Sequence, residues 1–171
     1  MNRGYTHIYT GNGKGKTTAA LGLSLRALCS GKKVFFAQFM KADFTSEIKA
    51  QDFFPDLKIK QYGSGKFIFG TIEKIDMEKF ENGFKEVKNE IESGYYDVIV
   101  LDEIITAAGT GFVEVDKIIE LIKKKQKNVE LILTGRNAPH SLIECADLVT
   151  EMKEIKHYYH QGIPAREGID K

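Results

Sequence analysis

Cysteine is scarce in this 171-residue chain, which carries two, Cys29 and Cys145. They stand far apart, each in a mixed apolar stretch, with no metal-ligand spacing. The expectation is two reduced, buried thiols of a cytosolic, cytoplasmic protein. Long apolar runs are missing as well. No segment reaches the ~18–20 apolar residues that cross a bilayer, and residues 1–6 hold no apolar signal region. No membrane partner is expected. Neither sign of charge is in excess, with 25 Lys+Arg against 24 Asp+Glu. A nucleic-acid binder usually carries a basic surplus, so no nucleic-acid partner is expected. The small basic run Lys123, Lys124, Lys125 and Lys127 falls at the end of a predicted helix, where cations suit the helix dipole. Prolines number three, Pro55, Pro139 and Pro164, all in predicted loops or element starts. No repeat or low-complexity linker divides the chain. Its length suits one domain, residues 1–171, with a sizeable core.

What the sequence does contain is an alternation of strands and helices. Residues 5–10 read as a short strand. A helix rich in Ala and Leu follows over 17–29 and stops at Gly31. Residues 34–39 form a continuous apolar run, as buried parallel strands do. A weaker strand covers 57–62. Met77, Phe80, Phe84, Val87 and Ile91 recur at helical spacing, which predicts an amphipathic helix over 76–93 ending at Gly94. Further strands are predicted at 98–101, 129–133 and 148–152. Val115, Ile118, Ile119 and Ile122 mark a helix, and a short one follows Pro139. This order predicts an α/β, three-layer fold: a mostly parallel sheet of about six strands with helices on both faces. Ligands of such sheets sit at the carboxyl ends of the strands.

Two motifs fall at such ends. Thr10-Gly11-Asn12-Gly13-Lys14-Gly15-Lys16-Thr17-Thr18 joins the first strand to the first helix, the context a phosphate loop requires. Glycines let the backbone turn its N–H groups toward oxygen anions, and the helix N-terminus adds its dipole. Lys16 supplies a point charge to the outer phosphates, and the Thr17 hydroxyl suits Mg²⁺. The usual pattern has glycine where Thr10 stands, so the loop is a modified one. The second motif is Asp102-Glu103, closing an apolar strand. One carboxylate can hold Mg²⁺, and the other can orient a helper group or act as a base. Spacing leaves open which does which. A third stretch, Tyr62-Gly63-Ser64-Gly65-Lys66-Phe67-Ile68-Phe69-Gly70, sets aromatics in a glycine-rich loop, where they can wall a flat ligand or fold inward.

Taken in order, these motifs resemble the ATP:corrinoid adenosyltransferases of the P-loop, RecA-like type. Gly11 to Ala20 looks like that family's phosphate loop. Gln38-Phe39, Val100-Leu101-Asp102-Glu103 and Leu133-Thr134-Gly135-Arg136-Asn137-Ala138-Pro139 are similar too. So are Ala146-Asp147-Leu148-Val149-Thr150-Glu151-Met152, Lys156-His157 and the closing Gly162-Ile163-Pro164-Ala165-Arg166-Glu167-Gly168-Ile169. His160-Gln161 departs from the Asp-small pair that the family places before Gly162.

The resemblance implies transfer of the 5′-deoxyadenosyl group of ATP to the Co(I) centre of a corrinoid, with triphosphate leaving. It implies Lys16 and Glu103 as catalytic residues. ATP would be bound by Gly11, Asn12, Gly13, Lys14, Gly15, Lys16, Thr17 and Thr18, with Arg26 toward the nucleoside. Thr17 and Glu103 would serve Mg²⁺ (or Mn²⁺), and Phe67 and Phe69 would cover the lower face of the corrin. It also implies an electron donor or reductase and a homodimer. An axial histidine would hinder reduction of cobalt, so His157 and His160 are not expected to ligate it. The competing readings are an ordinary phosphate-loop ATPase or kinase, and an ATP-sensing module without turnover.

Overall fold

The computed structural model describes residues 3–41, 45–63 and 72–171. Six strands form one parallel sheet in the order β3-β2-β4-β5-β1-β6. They are β1 (Thr6–Thr10), β2 (Val34–Phe39), β3 (Leu57–Tyr62), β4 (Val98–Asp102), β5 (Glu130–Thr134) and β6 (Leu148–Glu151). The helices are α1 (Lys16–Cys29), α2 (Lys74–Ser93), α3 (Ile104–Gly109), α4 (Val115–Lys124) and α5 (His140–Ile143). Short 3-10 turns cover Ser46–Asp52 and Tyr158–Gln161. This is the three-layer α/β architecture that the alternation implies.

Side-chain alternation along β2 shows why both faces need cover. Phe35, Ala37 and Phe39 enter one apolar cluster, while Val34 and Phe36 enter the other. Successive strand residues point to opposite faces, and every residue of β2 is buried, so both faces are packed. α1 covers one face through Ala20 and Ala27. Residues of α2, α3, α4 and α5 cover the other, with Ile91, Ile104, Ile118 and Leu142 all buried. On that side Phe80 of α2 packs against Phe39, Phe84 and Phe112, with ring centroids 5.0, 5.9 and 5.3 Å away.

The helix ends follow local chemistry. α2 opens on a capping box in which Glu73 and Asp76 each accept from the other's backbone N–H, and it closes on left-handed Gly94. α1 opens differently. Its N-cap is Gly15 in a left-handed conformation, without a side-chain cap and with no acid in the first turn. The N–H groups at this helix start are left for an external acceptor.

One expectation needs correction. Cys29 is exposed and Cys145 only half-buried. The inward stripe of α1 is Lys16, Ala20, Ser24 and Ala27, and Cys29 lies two residues past it, on the opposite face. The basic run does close a helix, with Lys123 and Lys124 in the last turn of α4 and Lys125 as its C-cap. The Lys125 ammonium donates to the carbonyls of Gly4 and Val129, at 2.8 and 3.1 Å, and burial lowers its pKa. Among the described residues no helix is long and apolar enough to cross a membrane.

Candidate active site

The strand order separates the phosphate-loop strand β1 from the acidic strand β4 by one strand, β5. The residue at the end of β5, Thr134, therefore stands between the two motifs. Its hydroxyl donates to Asp102 Oδ1 at 2.7 Å and accepts from the Glu103 N–H at 2.9 Å. From the other side the Thr17 hydroxyl donates to the same Oδ1 at 2.9 Å. The Lys41 ammonium takes Oδ2 at 3.1 Å. Asp102 is wholly buried, at 0% exposure, and its burial is matched by three donors.

Glu103 sits at the corner between β4 and α3 with φ 62°. Its side chain accepts from the Thr106 hydroxyl at 2.5 Å. Thr17 is thus joined to Asp102, while Glu103, the acid expected beside it on the metal, is engaged with Thr106. Glu103 still acts on the site electrostatically, because it is the largest influence raising the pKa of Lys16. The described non-glycine residues with left-handed backbone are Met40, Glu103 and Asn137. They follow β2, β4 and β5, at the carboxyl edge where the motifs meet. Such strain gathers at functional sites.

The phosphate loop is pressed against the end of β6. Gly13 donates its N–H to the Met152 carbonyl at 2.8 Å. Gly11 has φ 99°, and a Cβ there would lie 2.4 Å from that same carbonyl oxygen. Gly11→Ala is expected to lower stability by about 2–3 kcal/mol and to weaken nucleotide binding. Denaturant unfolding and an ATP titration would check both, and an unchanged midpoint would contradict the constraint.

Lys16 curls beneath the loop and donates to the carbonyls of Gly11 and Gly13 at 2.7 and 2.8 Å. Its exposure is 7%. Burial lowers its pKa and nearby Arg136 adds to that, while Glu103 and Asp102 oppose it. Asn12, Lys14 and Thr18 are exposed around the loop. Lys14 pairs with Asp170 Oδ1 at 2.7 Å and with the Ile169 carbonyl at 3.2 Å. Asp170 also accepts from the Tyr158 hydroxyl and from Arg166 Nε at 3.2 Å. Lys14 first and Tyr158 next hold its carboxyl well below the usual range. Residues 158–171 are thereby tied to the loop.

The other sequence-derived residues are placed as follows. Arg26 is exposed in the last turn of α1, ten residues and about 15 Å along the axis from Lys16. A nucleoside held at the loop would have to lie along the flank of α1 to meet it. Phe67 and Phe69 lie outside the described residues. Tyr62, which opens their loop, turns inward: its ring packs on Phe39 at 5.4 Å and its hydroxyl donates to Glu86 at 2.9 Å. His157 Nδ1 accepts from the Tyr159 N–H, and His160 pairs with Glu154. Lys41 and Asp170 are marked by no motif in the sequence, and Thr134 is marked only as part of the stretch Leu133 to Pro139, with no role of its own. Each joins the site through a pairing 32 or more residues away.

Among the described residues no group of three or more His, Cys, Asp or Glu could hold a metal ion. The donors at hand are the Thr17 hydroxyl and the Asp102 and Glu103 carboxylates. These are hard oxygens that fit Mg²⁺, too few to enclose it without phosphate oxygens and water.

Fold and site together define a three-layer α/β protein with a parallel sheet, consistent with the architecture of the phosphate-loop class. A profile of the family described as ATP:corrinoid adenosyltransferase BtuR/CobO/CobP matches residues 2–170, and the chain belongs to this transferase family. A corrinoid adenosyltransferase of Pseudomonas aeruginosa is 33% identical over 171 residues, covering 98% of this chain and 84% of the relative. One from Escherichia coli strain K12 is 28% identical over 169 residues, covering 98% and 86%. An uncharacterised protein of Nostoc sp. is 38% identical over 170 residues, or 90% of this chain, which spans 45% of that relative's length.

Proposed function

We propose that residues 1–171 act as a single domain that transfers the 5′-deoxyadenosyl group of ATP to the Co(I) centre of a corrinoid. The cobalt of the substrate attacks the ribose 5′-carbon, the C5′–O5′ bond breaks, and triphosphate leaves as a unit. The observation that carries this reading is the state of the two acids. Asp102 is saturated by Thr17, Thr134 and Lys41, and Glu103 is bound to Thr106. Asp102 is thus committed to its three donors and Glu103 keeps one carboxylate oxygen, so among the described residues neither acid is set aside as a water-activating base. A reaction whose nucleophile is the substrate's own cobalt needs no such base. It needs alignment and stabilisation of charge on the leaving oxygen. Gly11, Asn12, Gly13, Lys14, Gly15, Lys16, Thr17 and Thr18 supply N–H groups and cations for that. Thr17, with Asp102 or Glu103, would hold Mg²⁺ or Mn²⁺, which supplies further charge neutralisation on the phosphates. The family name and the relatives named corrinoid adenosyltransferase support the reading. We place the enzyme in the cytoplasm as a homodimer served by an electron donor or reductase.

The test is anaerobic mixing with MgATP and chemically reduced cobalamin. A light-sensitive adenosylated product is expected, and ADP with phosphate beside an unchanged corrin spectrum would overturn the proposal. Phe67 and Phe69 are proposed to exclude a lower axial ligand, which leaves cobalt easier to reduce. Phe67→Ala or Phe69→Ala is expected to spare ATP binding and to slow reaction from Co(II) under a mild reductant. Prereduced Co(I) should restore part of the rate, and equal losses from both cobalt states would contradict that role.

A further inference from the structure

The Lys41 ammonium sits where a metal ion bound to Asp102 would compete with it. It is 3.1 Å from Asp102 Oδ2 and 4.0 Å from Glu47 Oε1, with the side chain 28% exposed. Fold geometry puts it there. Gln38 of β2 lies in register with Asp102 of β4. The left-handed turn at Met40, φ 61°, brings the next residue back over that pair. Glu47 is fixed by the Gln38 side chain at 2.8 Å, so Lys41 spans two anchored carboxylates. Asp102 Oδ1 already takes the hydroxyls of Thr17 and Thr134. Lys41 therefore completes the neutralisation of a carboxylate that has no solvent of its own.

We infer that Lys41 is a resident counter-cation of the metal site, which keeps divalent metal from binding ahead of the nucleotide. The inference rests on the reading that Asp102 and Thr17 receive the metal that accompanies ATP. A metal ion arriving alone meets an occupied carboxylate, a positive neighbour and too few other donors to compensate. A metal ion arriving on ATP brings phosphate oxygens as ligands and as an alternative anion for the ammonium. Lys41 would then release Asp102 and turn to phosphate, leaving the carboxylate to hold the metal together with Thr17. When metal and triphosphate depart, Lys41 returns. The buried carboxylate is never left without a positive partner, the state that costs most. Lys41 is a positioning residue on this account, acting through Asp102.

The test is a Mn²⁺ titration followed by the electron paramagnetic resonance of free Mn²⁺, without corrinoid. The wild type is expected to bind Mn²⁺ weakly alone and tightly with ATP. Lys41→Met is expected to bind nucleotide-free Mn²⁺ about tenfold more tightly or better, and Lys41→Arg to follow the wild type. Lys41→Gln offers a second neutral side chain if the methionine variant does not fold. A neutral variant that binds MnATP yet takes free Mn²⁺ no more tightly than wild type overturns the inference. Tight nucleotide-free binding by the wild type overturns it as well. Failure of the wild type to bind Mn²⁺ even with ATP overturns instead the underlying assignment of the metal site.

Discussion

Lys16→Ala is expected to cut adenosyl transfer by about 10²–10³-fold while leaving the nucleotide-free fold at least as stable as the wild type. The two effects share one cause. The Lys16 ammonium is nearly buried, and its hydrogen-bond acceptors among the described residues are the carbonyls of Gly11 and Gly13. Burial lowers its pKa below the ordinary 10.5. A lysine so shifted binds its proton more readily in the unfolded chain. Its charged form therefore costs stability at neutral pH, and that cost is relieved as pH rises from the lowered pKa toward 10.5. Alanine removes the cost together with the two hydrogen bonds. Nucleotide affinity should move the other way, falling over the same alkaline window as the amine loses the charge that holds phosphate. Paired measurements would check this: thermal unfolding against pH without ligand, and ATP affinity against pH, for wild type and Lys16→Ala. A variant with wild-type turnover would remove Lys16 from the phosphate site. A wild type whose stability falls through that window relative to Lys16→Ala would contradict the account of its burial.

Asp102→Ala is the second large effect. The side chain is completely buried and three donors converge on it from α1, β5 and the turn after β2. Removing it leaves the Lys41 ammonium without its nearest anion and two hydroxyls without an acceptor. Breaking a buried pair from one side costs about 3–5 kcal/mol, or a fall in Tm of roughly 6–20 °C for a chain of this size. The metal-dependent part of ATP binding should vanish with it. Asp102→Asn keeps the shape and some hydrogen bonding, so its Tm should lie between. Differential scanning calorimetry of the three proteins would check the order. Equal melting temperatures would show that Asp102 is not the point at which the three elements are tied.

The parts of this site legible in the sequence are those carried by short stretches of chain. The nearly continuous apolar runs of β2 and β4 declare buried strands, with polar residues only near their carboxyl ends, at Gln38 and Asp102. The glycine-rich stretch before α1 declares a phosphate loop because each of its features is local. α3 left no such trace. Its six residues, Ile104–Gly109, follow β4 directly, too short to show a period and started by a left-handed glutamate instead of a recognisable cap. The identity of the acid next to Thr17 was equally hidden, since adjacent residues of a strand end differ only in which face they meet. Register decided it: Gln38 opposite Asp102 and Thr134 one strand away. The pairings of Lys41 with Asp102 and of Lys14 with Asp170 span 61 and 156 positions, and nothing local marks them. For Phe67 and Phe69 the sequence remains the only source, as they lie outside the described residues.

The central claim is that ATP reacts here at its 5′-carbon, with the triphosphate held intact on the phosphate loop. ATP carrying ¹⁸O in the bridge between C5′ and the α-phosphorus tests it most directly, in a single turnover with reduced corrinoid followed by phosphorus NMR. Cleavage of the C5′–O5′ bond predicts inorganic triphosphate with the label retained on a terminal phosphorus, in equal amount to the adenosylated corrinoid. Label appearing in ADP, with free phosphate, would place the cleavage between the β- and γ-phosphates and contradict the account.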